Sequence, residues 1–385
     1  NENENENEDE LIFPRGSELH GAIGEGRYSL MEHSKNKRPS IADVARAAEV
    51  STYTVTAALT GKGRVGAATR QRVQDAATRL GYEPNLLARA LRTKRTGIIG
   101  AVFPSLYNIG IDELLRGADQ VAVEKSYSIL TANSHNRPEI ERRLSDVLQY
   151  ASDGLMVHTR FRGANADFYR QLARQMPMVT ILNKMLAPEI DSVEVDDTQI
   201  GEQACHHLLD CGRRRLVCLA PADSIEMGWG EMRLAGFALS ANGAGLGPVA
   251  RLTAPRIGKE PLDVWAERVL QASLAAGECY DGIFAVNDVA AVGVMHAMQA
   301  HGLRIPEDVA VIGCDNSPFL TELPCPLTTF QQPLAEVGRT AMRLLLQRLE
   351  APKEHIPAAH ERLPARLIIR ASTQLDHAGS TVLAR

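Results

Sequence analysis

The sequence predicts a small all-α unit near the amino terminus, followed by an α/β body of two doubly wound parallel-sheet subdomains. Three observations support this fold class. Residues 35–95 hold 13 Lys and Arg against 4 Asp and Glu, although the whole 385-residue chain carries a net charge of -5. Two short alanine-rich helical segments begin after Ser40 and Ser51. From Thr96 onward, apolar runs of strand length alternate with amphipathic helices, as in parallel sheets covered on both faces.

The ends of the chain are set apart from this fold. Residues 1–34 predict a disordered acidic tail, either a linker added for expression or an upstream extension, with Met31 as a candidate start. Residues 376–385 are assigned to a second tail. No apolar run approaches the ~18 residues of a membrane helix, and no secretory signal is recognisable. We therefore expect a cytoplasmic protein with no membrane partner.

The six cysteines lack the close paired spacing of a metal site. A zinc site of Cys205, His206, His207 and Cys211 can be drawn, but no C-x-x-C pair supports it. We therefore predict reduced thiols, no metal and no cofactor.

A helix-turn-helix unit is predicted over residues 35–83. Ser40 can cap a first helix, and Asp43 favours its positive end. Ser51 can cap a second helix after a very short link, and two helices joined so tightly must cross steeply. A third helix is predicted in AATRQRVQDAATRL, with Gly81 ending it.

The second helix is predicted to turn Val55 and Leu59 inward and to leave short hydroxyls and an aromatic ring outward. Such groups suit base edges in the major groove of DNA, although a solvated threonine face is the alternative interpretation. The predicted DNA contacts of this helix are Ser51, Thr52, Tyr53, Thr54, Thr56 and Ala57. In the next loop, Lys62 and Arg64 suit phosphates. That loop also matches a dinucleotide-binding glycine spacing, which we reject because it follows a helix rather than a strand.

Residues 40–92 resemble the DNA-binding headpiece of the lac repressor (LacI/GalR) family. The matching residues are Ile41, Asp43-Val44-Ala45, Val50-Ser51, Thr54-Val55, Leu59, Val65, Thr69-Arg70, Val73, Ala76, Leu80-Gly81-Tyr82, Pro84-Asn85, Ala88-Arg89 and Leu91. The chain departs from the family at Thr56, Ala57 and Thr60. Since Ala57 replaces a residue with which many relatives contact a base, their operator sequence does not carry over.

The resemblance implies a hinge helix and linker over residues 84–95. This helix would order only on specific DNA, beside its twin from a second subunit, with Leu91 wedged into the minor groove. The implied contacts of this segment are Asn85, Ala88, Arg89, Leu91 and Arg92. The alternative is a flexible linker with an incidental leucine.

The body is predicted over residues 96–375. Its first subdomain comprises about 96–194 plus 334–358, and its second about 195–333 plus 359–375. Ligands of doubly wound folds bind beyond the carboxyl ends of the strands. The residues at those positions are polar and suit a hydroxylated ligand such as a sugar, although Asp and Asn there often cap the next helix instead.

The family resemblance extends to about Thr373 and implies a periplasmic-binding-protein-like body. It gives Arg233, Asn287 and Asp315 as the first effector contacts. Secondary candidates are Ser105, Asn108, His158, Asn183, Phe237, Phe319 and Gln332. Asn183 stands where most relatives have Asp, which points to a different hydroxyl pattern or charge in the ligand.

These features together predict a homodimeric transcription factor, most often a repressor in this family. It would bind double-stranded DNA at a pseudo-palindromic operator, and a small-molecule effector would control its affinity. One rival is a periplasmic solute-binding protein, which the basic helical unit argues against. The other is an enzyme on the same sheets, against which the chain has no G-x-S-x-G and no phosphate-binding loop in a strand-helix context.

Overall fold

The computed structural model describes residues 39–61, 63–82, 95–106, 110–160, 162–182, 187–351 and 357–374, without the side chains of Arg162 and Phe319. Backbone contacts divide the chain into two units, Asn1–Asn85 and Leu86–Arg385. Within the described part, no helix is both long and apolar enough to cross a membrane.

The first unit is a bundle of three helices, α1 (Ile41–Ala47), α2 (Thr52–Thr60) and α3 (Ala67–Leu80). Both predicted caps are confirmed. Ser40 and Asp43 form a capping box at α1, and the Ser51 hydroxyl accepts from the Thr54 amide at 3.1 Å. The small core of Val44, Val55 and Val73 is fully buried. Few large side chains fill it, so the short, well-capped helices contribute much of the local order.

The second unit contains two six-stranded sheets, which confirms the predicted fold class. The first sheet has the order β11-β5-β4-β3-β1-β2 and the second the order β12-β10-β9-β8-β6-β7. The strands are β1 (Ile98–Phe103), β2 (Ser128–Asn133), β3 (Gly154–Val157), β4 (Met178–Ile181), β5 (Asp191–Val195), β6 (Leu216–Leu219), β7 (Ala250–Leu252), β8 (Gly282–Ala285), β9 (Ala310–Cys314), β10 (Thr328–Gln331), β11 (His360–Leu363) and β12 (Arg366–Ile368). β3, β4, β5 and β9 are buried along their whole length.

Helices connect these strands in the way that parallel sheets require. They are α4 (Ile111–Glu124), α5 (Pro138–Ala151), α6 (Arg162–Ala173), α7 (Asp197–Asp210), α8 (Ala222–Glu226), α9 (Trp229–Gly243), α10 (Leu262–Ala275), α11 (Asp288–Ala300) and α12 (Leu334–Glu350). Short 3₁₀ turns span Pro318–Thr321 and Ala371–Thr373. All described strand pairs are parallel, as predicted for the sheets, except the edge pair of β10 with β12.

The chain returns to the first sheet near its end. β11 pairs in parallel with β5, from His360 against Ser192 to Leu363 against Val195. The last expected crossing between the subdomains, at about residue 358, is therefore a few residues too early, because the chain leaves the first sheet only between Leu363 and Arg366. Arg348 of α12 reinforces this edge by pairing with the buried Asp191 at 2.7 Å.

Two glycines allow α7 and α9 to pack at very close range. A Cβ atom on Gly201 would lie 1.9 Å from the carbonyl oxygen of Arg233, and one on Gly236 would lie 2.1 Å from that of Thr198. The two helix backbones thus touch where α9 carries Arg233. This close packing fixes the position of that arginine relative to the first turn of α7.

We expect Gly236→Ala to lower the free energy of unfolding by about 1–3 kcal/mol or more, because the added methyl group meets backbone atoms that cannot yield. Gly243→Ala at the end of the same helix is the control, since a Cβ there meets nothing within 4 Å. Urea denaturation of both variants measures the difference. Equal stability of the two would contradict the close packing of α7 and α9.

Candidate functional site

The exposed side of α2 forms the candidate nucleic-acid interface. Thr52 is exposed, and 78% of the Tyr53 surface is open to solvent. Arg64 is exposed in the loop after α2, where it can reach a phosphate. A shallow groove lined by Tyr53, Arg64 and the first turn of α3 lies between these elements. The structure therefore brings together an aromatic ring, hydroxyls, a cation and a helix amino terminus, which suits a duplex edge.

The hydroxyls of α2 are partly used within the helix. The Ser51 and Thr54 hydroxyls lie 2.9 Å apart, and the Thr56 hydroxyl donates to the Thr52 carbonyl at 2.9 Å. Thr56 is half-buried and its proton is committed, so in this conformation its hydroxyl offers lone pairs rather than a donor. Thr52 and Tyr53 are the more accessible of the predicted contacts.

The expectation that Ala57 points outward is wrong. Only 5% of Ala57 is exposed, and its Cβ would lie 3.3 Å from a Cβ on Gly63. The loop after α2 folds back over this position through a left-handed Gly63, with φ of 104°. Helical spacing predicted Ala57 on the outer side of α2. It could not predict burial by the loop, because periodicity within a helix carries no information about segments that follow the helix.

Six predicted DNA contacts fall outside the described residues. They are Lys62, Asn85, Ala88, Arg89, Leu91 and Arg92. The hinge helix that would carry the last five also lies outside, so these assignments stay predictions.

A cavity of about 460 Å³ lies at the carboxyl ends of strands from both sheets of the second unit. His158 and Arg160 follow β3 on the first sheet, and Glu194 belongs to β5. Asn287, Asp315 and Gln332 follow β8, β9 and β10 of the second sheet. All six line the cavity, together with Arg233 from α9 and Asp197 from α7. We call this space the inter-sheet cavity.

Arg233 is the most constrained group of the inter-sheet cavity. It is 3% exposed, its Nε donates to Asp197 at 2.8 Å, and its Nη1 donates to the carbonyl of Val286. Its guanidinium lies 4.8 Å from the Trp229 ring centroid, one turn earlier on α9. Burial acts to lower the pKa of Arg233, but Cys314, Asp197 and Asp315 outweigh it and raise the pKa, so the group stays charged. Arg233 lies in the second turn of α9.

Asp315 presents an unusual carboxyl to the inter-sheet cavity. Its backbone is left-handed at a φ of 127°, and Gln332 donates to its Oδ1 at 2.6 Å. Burial, together with the nearby carboxyl of Asp288, raises the pKa of Asp315 to about 7 against the opposing effect of Arg233. A carboxyl near half-protonation can accept from or donate to a ligand hydroxyl.

Asn287 and Asp288 begin α11 and illustrate the double role of residues after strands. The Asn287 side chain accepts from the Ala290 amide at 2.9 Å, so it caps the helix and lines the cavity at once. Asp288 is fully buried, accepts from the Ser317 amide at 2.8 Å and from the Thr329 hydroxyl. Asp288 holds the loop that carries Asp315 rather than facing the cavity.

The structure brings together five of the ten predicted effector contacts. Arg233, Asn287, Asp315, His158 and Gln332 line the inter-sheet cavity, whereas Ser105 and Phe237 are not among the described lining residues. Placing Phe237 in the site was wrong, because its ring is fully buried and stacks on Phe284 at 5.6 Å. Asn108, Asn183 and the side chain of Phe319 lie outside the described part.

Sequence reasoning missed several lining residues. Asp197 follows β5, a strand that the sequence analysis did not recognise, and Trp229 precedes Arg233 by one helical turn. Arg160 follows β3 two residues after His158 and could have been found by the same rule of strand ends. Arg256 lies in a loop between β7 and α10 and gives no local signal.

Comparison with known proteins finds matches to both parts of the chain. Residues 40–85 match the model of bacterial regulatory proteins, lacI family, and residues 205–373 match the periplasmic binding protein-like domain. Catabolite control protein A of Priestia megaterium is 31% identical over 338 residues, 87% of this chain and 99% of that protein. A solved complex of the transcriptional regulator CelR with cellobiose is 25% identical, with a TM-score of 0.62 over 87% of this chain and all of that one. A lac repressor dimer bound to operator and the anti-inducer ONPF shares the fold, with a TM-score of 0.77 at 23% identity over 88% of this chain and all of its own.

A helix-turn-helix unit on a two-sheet body with a polar cavity defines the class of DNA-binding transcriptional regulators. The chain belongs to the lacI family of bacterial regulatory proteins. The resemblance and the fold class predicted from the sequence are thereby confirmed.

The raised pKa of Asp315 makes stability depend on pH in a defined direction. In the folded protein this carboxyl keeps its proton up to about pH 7. An unperturbed aspartate has a pKa of 3.8 and has already lost its proton well below that pH. The group therefore contributes less to stability as pH rises through this window. We compare the free energy of unfolding of Asp315→Asn with that of the wild type. We expect this difference to become more favourable to the variant as the pH rises from about 5 to about 8.

Urea denaturation at the two pH values measures this gain. Asp308→Asn is the matched control, because Arg304 holds the pKa of Asp308 at about 2, below the window. A wild type and an Asp315→Asn variant with the same dependence on pH would contradict the assigned state of the carboxyl.

Proposed function

We propose that the chain is a homodimeric repressor whose affinity for a pseudo-palindromic operator is set by a sugar-like effector in the inter-sheet cavity. The observation that carries this proposal is the convergence of Arg233, Asn287 and Asp315 at the carboxyl ends of strands in a cavity of about 460 Å³. Charged and amide groups that point into such a space suit the donors and acceptors of a polyol. The CelR neighbour holds cellobiose, which supports a sugar as the ligand class.

DNA recognition is assigned to α2 and the segment that follows α3. Thr52 and Tyr53 would meet base edges, while Arg64 and the first turn of α3 would hold the phosphate backbone. The lac repressor neighbour was solved as a dimer on its operator, which supports a dimer in which two such helices meet successive half-sites. The hinge helix with Leu91 would add the central minor-groove contact.

The two sites are coupled in this proposal. Both walls of the inter-sheet cavity contribute ligand contacts, so a bound effector favours one arrangement of the two sheets over others. If the operator also binds one arrangement better, effector and operator change each other's affinity by the same factor. In this proposal the protein acts in the cytoplasm, and it regulates without catalytic turnover.

We expect full-length protein to select from random duplexes, at ~150 mM salt where non-specific binding is weak, a pseudo-palindrome with half-sites about one helical turn apart. Replacing Thr52 and Tyr53 by alanine should lower affinity for that duplex about 5- to 100-fold and leave non-specific binding unchanged, because base contacts are lost. Fluorescence anisotropy measures both affinities.

Thr78→Ala is the control, since Thr78 is also an exposed threonine of the first unit but lies on α3. It should bind as the wild type does. Selection of no sequence, or full affinity without Thr52 and Tyr53, would contradict the assigned reading surface.

A further inference from the structure

Among the described residues that line the inter-sheet cavity, Arg160 is a cation without an ion-paired carboxylate. Asp197 pairs with Arg233 at 2.8 Å, and Asp223 pairs with Arg256 at 2.6 Å. Among the described residues, Arg160 has no carboxylate within ion-pair distance. Burial lowers the pKa of its guanidinium, with Asp223 opposing and Arg256 reinforcing that shift. In the described part of the chain, this wall thus desolvates a cation with only the more distant Asp223 to offset the cost.

Two hydrogen bonds of the half-buried Arg160 guanidinium to described residues are seen, and one of them goes to a poor acceptor. Nη1 donates to the Asn136 side chain at 2.7 Å, and Nε points at the thioether sulfur of Met227. A thioether is a poor acceptor, whereas a guanidinium offers five donors in a fixed fork that matches a carboxylate or a phosphate. Met227 follows α8 on the second sheet's side, so Arg160 already reaches across the cavity.

His158 adds a second unsatisfied group on the same wall. Its Nδ1 is buried and, within the described residues, has no hydrogen-bond partner. Burial, followed by the charge of Arg160, lowers the pKa of His158 to about 4, so the ring is neutral at pH 7 and can donate one N–H. Neutral imidazole and guanidinium donors that line one space suit the oxygens of a single anionic group.

The loop that carries both residues is held rigidly. The His158 amide donates to the Val102 carbonyl at 2.9 Å, and the Thr159 hydroxyl donates to the buried Glu141 at 2.6 Å. Asn165 and Tyr169 also donate to that Glu141 oxygen. The donors therefore cost little to order when a ligand arrives.

We propose that the effector carries an anionic group, a carboxylate or a phosphate, and that Arg160 and His158 bind this group. Its hydroxyls would then face Asp315, Gln332 and Asn287, so the ligand class is a sugar acid or a sugar phosphate. The inference rests on the proposed function, because it takes the inter-sheet cavity as the effector site. The inter-sheet cavity has two chemically different walls. A neutral sugar would leave the donors of the wall with Arg160 and His158 unsatisfied.

The test is a binding screen with matched sets of sugars against the full-length protein. Each set contains a neutral hexose or pentose, its aldonic or uronic acid and its phosphate ester, with binding read by calorimetry. We expect the tightest ligand to be an acid or a phosphate, bound about ten-fold or more tightly than its neutral counterpart. The acid and phosphate arms identify which anion the effector carries.

Variants tie the result to the proposed residues. Arg160→Met should abolish most of the preference for the anionic sugar of each set over its neutral counterpart. Arg160→Lys should retain part of this preference, because the lysine ammonium still supplies a point charge. Arg215→Gln, at an exposed arginine paired with Asp281, should change nothing. Inorganic phosphate should raise the unfolding temperature of the wild type more than that of Arg160→Met at equal ionic strength.

The outcomes separate this inference from the proposed function. In one outcome, a neutral sugar binds as tightly as its acid and its phosphate, and its affinity is lost in Asp315→Asn but kept in Arg160→Met. This outcome would overturn the proposal of an anionic group and would leave the effector site intact. In another outcome, no sugar of any class binds, and phosphate raises the unfolding temperatures of the wild type and of Arg160→Met equally. This outcome would overturn both the anionic group and the effector site.

Discussion

The buried ion pair of Arg233 and Asp197 is the constraint on which the rest of the ligand site depends. A guanidinium that is 3% exposed requires a charged partner and further acceptors, and it finds them in Asp197 and the carbonyl of Val286. Those groups follow β5 and β8, strands of different sheets. The same arginine lies where α7 and α9 touch through Gly201 and Gly236. One side chain thus joins the ends of both sheets to a close contact between two helices.

This arrangement gives the inter-sheet cavity two walls of different chemistry. On the second sheet, Asp315 lines the cavity, and its burial beside the carboxyl of Asp288 raises its pKa to about 7, which suits hydroxyl partners. On the first sheet, within the described residues, Arg160 has no ion-paired carboxylate and the Nδ1 of the neutral His158 ring has no hydrogen-bond partner. The contrast follows from strand ends that carry different residues, since the backbone pattern of the two sheets is nearly the same.

Patterns local in sequence predicted most of the fold, and contacts distant in sequence account for the errors. The caps at Ser40 and Ser51 and most of the buried strands follow from neighbouring residues and were predicted correctly, whereas the buried strand β5 was not predicted. The parallel strand β11 was missed, because His360–Leu363 is polar and pairs with a strand about 170 positions earlier. Ala57 was placed outward because the returning loop at Gly63 is invisible to helical periodicity. Phe237 was assigned to the ligand from family resemblance, although its own helix turns it into the core.

Linkage between the two sites is the central claim, and the most direct measurement is reciprocal. With a duplex selected by the protein and a ligand found in the screen, calorimetry gives the ligand's dissociation constant with and without saturating duplex. Anisotropy gives the duplex's constant with and without saturating ligand. If the two sites are linked, both dissociation constants change, by about 5-fold or more and by the same factor. A ligand that binds equally well to free and DNA-bound protein would contradict it, because the inter-sheet cavity would then have no influence on DNA binding.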